Sequence, residues 1–82
     1  MKYVRYKKIG MARDVMVTFD KRVQHRDFTQ SLGKDEVGVI SAGFVKHVDG
    51  ELICYGESVS LQCKSLEEDT ALLNRALSHP LS

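Results

Sequence analysis

The residues that come nearest to carrying chemistry are Gly56-Glu57-Ser58-Val59-Ser60. A serine between glycines is the nucleophile elbow of hydrolases when a strand turns sharply into a helix and lifts the hydroxyl above the sheet. Here the fifth residue is Ser60 and the β-type pattern runs on past it, so the alternating serines read as the wet face of a strand. Glu57 falls on the apolar parity of that strand, and two arrangements accommodate it. A bulge at Gly56 turns the side chain outward and resets the register. In a regular strand it points inward and needs a partner or a raised pKa. Catalysis would require the second arrangement, with Glu57 in a pocket beside Ser58, His47 or another polar group.

His25, His47, His79, Cys54 and Cys63 supply soft donors, but no CxxC, HxxxH or other close pair occurs. Structural zinc needs four convergent ligands, usually two short-spaced pairs. His47 and Cys54 flank the same predicted turn and are expected to face one another, which is two donors rather than a site. The histidines read as solvated and the thiols as half-buried. No phosphate loop is present, since no lysine and serine follow Gly38 or Gly43 at the required spacing. No metal or cofactor is expected.

Lys2, Arg5, Lys7 and Lys8 interleave with Tyr3 and Tyr6, and Arg22 and Arg26 follow. Tyrosine faces stack on bases and cations neutralise phosphates, so this cluster is a candidate nucleic-acid surface. A pI near 7.8 argues against it, and the same residues also serve as charged protection of a sheet. Net charge is +5 over residues 1–30 and −4 over residues 31–82. The two halves can meet within one fold, meet across a symmetric dimer, or give one face that attracts polyanions. The candidate interaction surface is therefore Lys2, Arg5, Lys7, Lys8, Arg22 and Arg26, with Glu57 and Ser58.

The elements that must position these residues follow from periodicity. Residues 2–9 alternate β-branched and aromatic residues with charges, which fits a strand with one wet face. Gly10 breaks it, and 14–19 forms a second strand in an antiparallel hairpin. Asp20 caps a helix over 21–32 that Gly33 stops, with 34–36 as a polar link. A third strand spans 37–48, and its glycines mark a bulge or a close backbone approach. Asp49-Gly50 predicts a two-residue turn. The return strand spans 51–63. Ser65 and Glu68 form a capping box for a second helix whose face carries Leu66, Thr70, Leu73 and Leu77, widened by Leu72 and Ala76, and which ends near Ser78 before Pro80. The expected fold is α+β, ordered β-β-α-β-β-α: a four-stranded, largely antiparallel sheet with both helices on one face.

The 82 residues make one domain. Size scaling gives roughly 4,900 Å² of folded surface, a marginal core of the kind that self-association stabilises. No apolar run is long enough to cross a bilayer, and no export signal is read in the basic first ten residues. The expectation is a cytoplasmic chain with free thiols, with a homo-oligomeric or other protein partner and no membrane.

Ile40-Ser41-Ala42-Gly43-Phe44-Val45, Cys54-Tyr55-Gly56-Glu57-Ser58-Val59-Ser60-Leu61 and Ser65-Leu66-Glu67-Glu68-Asp69-Thr70 together give an SAGF strand, a YGES-x-SL strand and a capped acidic helix. This pattern resembles small proteins encoded by phage and prophage genomes, over roughly the second half of the chain. The resemblance implies a phage-encoded accessory protein and assigns no catalytic residue. The leading expectation is a non-enzymatic interaction module, with a nucleic-acid-binding protein as the alternative.

Overall fold

The computed structural model describes residues 1–31 and 36–78. The predicted Gly33 stop and the Lys34-Asp35 part of the link, as well as His79 and Pro80, lie outside the described residues. So do the side chains of Glu36, Val37, Leu77 and Ser78.

The fold is α+β. Its strands are β1 (Lys2–Lys8), β2 (Val15–Phe19), β3 (Glu36–Val48), β4 (Glu51–Tyr55), β5 (Glu57–Ser58) and β6 (Cys63–Lys64). Its helices are α1 (His25–Ser31), before β3, and α2 (Asp69–Ser78), after β6. A four-stranded antiparallel sheet runs β2-β1-β3-β4, and β5-β6 is a separate hairpin. The order is thus β-β-α-β-β-β-β-α, not the expected β-β-α-β-β-α.

Gly56 causes that difference. Its φ of +77° bends the chain out of β4, and the Ser65 amide closes the neck of the new hairpin by donating to the Gly56 carbonyl at 2.9 Å. The predicted 51–63 strand is therefore broken. Asp49 and Gly50 do adopt the paired positive φ of a two-residue turn, at 50° and 82°. Pairing resumes at once with Val48 opposite Glu51.

The helices lie on opposite faces of the sheet, which corrects the one-face expectation. Tyr3, Val45 and Leu52 pack with Leu73 of α2. Val4, Tyr6 and Ala42 pack with Phe28 of α1 and with Leu61 and Cys63 of the small hairpin. β1 is accordingly an interior strand buried on both sides, with Tyr3 and Val4 both at 0% exposure. The wet face expected of it is absent because Tyr3 and Arg5 find polar partners under α2.

β3 follows β1 with two irregularities, while its register with β4 is unbroken. Its register against β1 slips between Arg5 and Tyr6 and again between Lys7 and Lys8. α1 starts at His25 rather than 21, because the Asp20 carboxylate accepts from the Arg22 amide at 2.8 Å in an isolated turn instead of capping a helix. At α2 the reach-back comes from Asp69, whose carboxylate accepts from the Leu66 amide at 2.9 Å. This is the capping-box geometry shifted one residue from the predicted Ser65–Glu68 pair. Among the described residues no helix is long and apolar enough to cross a membrane.

Candidate functional site

Arg5 organises the space between the sheet and α2. Its Nε and Nη2 donate to Asp14 Oδ2 at 3.1 and 2.8 Å, and its Nη1 donates to Asp69 Oδ1 at 3.1 Å. Glu68 approaches the same Nη1 at 3.6 Å. Asp69 also accepts from the Tyr3 hydroxyl. The Ser41 hydroxyl lies beside Tyr3 and Asp69, yet its Oγ makes no bond of acceptable geometry. The basic and acidic halves of the sequence thus meet within one fold, through Arg5, Glu68 and Asp69.

Every titratable group whose ionisation this site perturbs moves away from neutrality. Burial raises the Tyr3 pKa, reinforced by Asp69. Burial pushes the Cys54 thiol up to about 11, with Asp69 adding to it. Burial opposes ionisation of Asp69, but the Leu66 amide, Tyr3, Ser41 and Arg5 outweigh it and hold the carboxyl below its usual value. Burial likewise opposes the Arg5 charge, and Asp14 and Asp69 overcome it. General acid–base work calls for a pKa near the operating pH; these groups are locked in one protonation state.

An open cleft of about 740 Å³ lies over this network, bordered by Arg5, Arg13, Asp14 and Met16 on one side and Leu72 and Arg75 on the other. Among the described residues no group of three or more histidine, cysteine or acidic side chains is placed to hold a metal. Cys54 stands opposite Val45 and His47 opposite Leu52, so the expected His47–Cys54 facing pair does not form.

The two edges of the sheet differ. β4 is closed by α2: Asn74 accepts from the Leu52 amide at 3.1 Å and donates to the Leu52 carbonyl at 2.7 Å, while Thr70 Oγ1 accepts from the Cys54 amide at 2.9 Å. β2 has no such cover among the described residues. Among the described residues, no group outside β1 bonds its backbone. Its sequence, VMVTF, has no charge and no proline, and all five side chains are only half-buried. Natural edges are usually blunted by charge, proline, bulges or a covering element.

The predicted interaction residues do not converge. Arg5 is committed to carboxylates. Lys7 and Lys8 are exposed at one end of β1, while Lys2 is at the other, about 20 Å away at ~3.3 Å per residue. Lys2 Nζ donates to the Val23 carbonyl at 2.8 Å. Arg22 is exposed beside Asp20, and the Arg26 amide donates to Ser60 Oγ at 3.2 Å. Glu57 is exposed, but in the separate β5–β6 hairpin and not through a bulge in a continuing strand, whereas Ser58 is buried and accepts from the Leu61 amide at 3.3 Å. Sequence reasoning put Thr70 on the packing face of the helix but missed its bond to β4, and missed Asp69 and Asn74 as partners of the sheet. The three, spaced by one and four residues, lie with Leu73 on one stripe of α2; the polarity of Asp69 and Asn74 hid them.

His25 is also unlike its expected solvated state. It is 3% exposed, between Phe19 and Phe44 at ring distances of 5.4 and 5.7 Å, and Nε2 donates to the Gly43 carbonyl at 2.8 Å. Burial, opposed by the Gly43 bond, lowers its pKa from 6.5. A base with a lowered folded pKa leaves the unfolded chain holding more protons below the unfolded value. Its stabilisation is therefore full above pH 6.5 and lost as pH falls through the folded pKa. The urea midpoint, followed by circular dichroism, should be flat above neutrality and decline below pH 6.5. His25→Gln, which keeps a donor, should flatten that part of the decline.

No family model, curated protein or solved structure matches the chain.

Proposed function

We propose that the chain is a small, non-enzymatic interaction module that works by strand addition at its β2 edge. The observation that carries this reading is the contrast between the edges. On β4 the Leu52 amide and carbonyl and the Cys54 amide are satisfied by Asn74 and Thr70, while β2 offers an uncharged, half-buried edge that bonds only β1 among the described residues. An added strand gains main-chain hydrogen bonds, and alternate side chains supply specificity. Support also comes from the fixed protonation states under α2, which suit a scaffold rather than an acid–base centre. The separation of Lys2 from Lys7 and Lys8 favours this reading over a nucleic-acid surface. It agrees with the phage- or prophage-encoded accessory role that the sequence resemblance implies.

Site-specific photo-crosslinking in cells expressing the chain tests it. A benzophenone side chain at Thr18 on the β2 edge should give adducts, and one at Glu51 on the β4 edge should give few. Equal yields at both positions, or none at Thr18, would overturn the proposal.

A further inference from the structure

We infer that the cleft between the β1–β2 turn and α2 is a binding site for a small organic monoanion, a carboxylate joined to an apolar chain. The site lies on the α2 face and does not depend on the open β2 edge.

Two kinds of surface line the cleft. Met16 from β2 and Leu72 and Ala76 from α2 are apolar, and all three keep some exposure. Leu72, Arg75 and Ala76 reach it together because residues three and four apart share a helix face. Guanidinium groups stand around this apolar strip: Arg5 from β1, Arg13 from the turn and Arg75 from α2. The volume of about 740 Å³ falls in the range of roughly 300–1,000 Å³ typical of small-molecule sites, which are mostly apolar with a few placed polar groups.

Arg5 is held ready to receive an acceptor. Its side chain is 11% exposed, and Asp14 and Asp69 fix it through three of its N–H groups. A guanidinium carries five such donors, so one is left on each Nη. Glu68 comes only to 3.6 Å from Nη1, which is beyond hydrogen-bond length. A planar carboxylate accepts from both arms of such a fork. Arg13 is exposed and bonds no other described residue, so it can close on the same anion.

The surrounding charge limits the head group to a single negative charge. Asp14 borders the cleft, and together Asp14 and Asp69 outweigh Arg5. The attraction therefore comes from Arg13 and Arg75 on the two lips. A phosphate dianion would gain from those lips but would meet the Asp14 and Glu68 carboxylates with twice the repulsion.

Decanoate tests the site, titrated into the isotope-labelled chain while the amide resonances are followed by NMR. Saturable shifts should be confined to residues 12–16 and 72–76. Octanoate should bind more weakly, by up to about fourfold for each methylene lost, and acetate should move nothing. Decyltrimethylammonium, with the same tail under the opposite charge, should bind about tenfold more weakly or worse. Decyl phosphate should bind no more tightly than decanoate.

Arg13→Ala should weaken decanoate about two- to fivefold, and Ala76→Glu about tenfold by setting a carboxylate on the lip. Both positions are exposed, so both variants should keep the parent's dispersed spectrum. Lys64→Ala removes the same charge from the hairpin across the sheet and should leave binding unchanged. An absence of shifts in the cleft, equal binding of the decyl cation, or a loss in Lys64→Ala equal to that in Arg13→Ala overturns the site. Tighter binding of decyl phosphate overturns its assignment to a monoanion.

Discussion

Asp69→Ala should lower the unfolding free energy by about 3–5 kcal/mol, the usual cost of deleting one partner of a buried ion pair. For 82 residues the whole stability is about 4–12 kcal/mol, so this variant should lose at least about a quarter of it. Asp69 is fully buried and satisfies three donors on two segments: the Tyr3 hydroxyl and the Arg5 guanidinium of β1, and the Leu66 amide ahead of α2. Removing it strands a phenol and part of a guanidinium beneath α2 and undoes the turn that starts the helix. Asp69→Asn keeps the shape and the acceptor oxygen, so it should cost less than alanine but more than a surface change. The acid limb supplies a second readout. The Asp69 pKa is lowered on folding, so its stabilisation is present above the unfolded value near 3.9 and disappears as pH falls below it. Asp69→Asn should remove that share of the acid slope. Denaturant titration of the three proteins at two pH values would check both effects. An Asp69→Ala protein within about 1 kcal/mol of the parent, the range of ordinary substitutions, would show that the network does not hold the helix to the sheet.

The parts of the fold that could be read from the sequence are those specified by backbone chemistry over a few residues. Asp49-Gly50 identified its own turn, since few other dipeptides accept two positive φ values. The alternation of Val15, Val17 and Phe19 placed β2, and the acidic start of α2 placed that helix to within a few residues. Gly56 was legible as an irregularity but not as a hairpin, because a bulge and a broken strand leave the same trace in parity. The sequence had no local means of saying that β1 lies between two helices. Arg5 and Lys7 look solvent-facing in isolation, and Arg5 enters the interior only because Asp14 and Asp69, 9 and 64 residues away, are waiting there. α1 on the opposite face from α2 is a similar case: Phe28 and Leu73 carry no mark of which side they cover. The candidate edge was the least legible feature. β2 was evident as a strand, but its openness depends on strand order and on Asn74 closing the other edge.

Gly43→Ala should destabilise the fold by about 3 kcal/mol, at the upper end of what overpacking costs. The reason is steric. Only Asp49, Gln62, Gly10, Gly50 and Gly56 have positive φ among the described residues, so alanine at 43 suffers no dihedral penalty. A Cβ there would instead come closer than 3.0 Å to the Tyr55 carbonyl oxygen, and within 3.3 Å of a Tyr3 ring carbon. A backbone oxygen cannot rotate away, so β3 and β4 would have to separate where β4 ends. The disturbance would reach both faces of the sheet. Tyr3 carries the bond to Asp69, and the Gly43 carbonyl receives the His25 ring. Gly38, on the same strand, has nothing within 4 Å of its Cβ position. Gly38→Ala should be neutral or stabilising by up to about 1 kcal/mol, through the entropy removed from the unfolded chain. The paired measurement separates close approach from a general intolerance of β3 to side chains. Equal effects at 43 and 38 would show that the β3–β4 approach is not what requires a glycine.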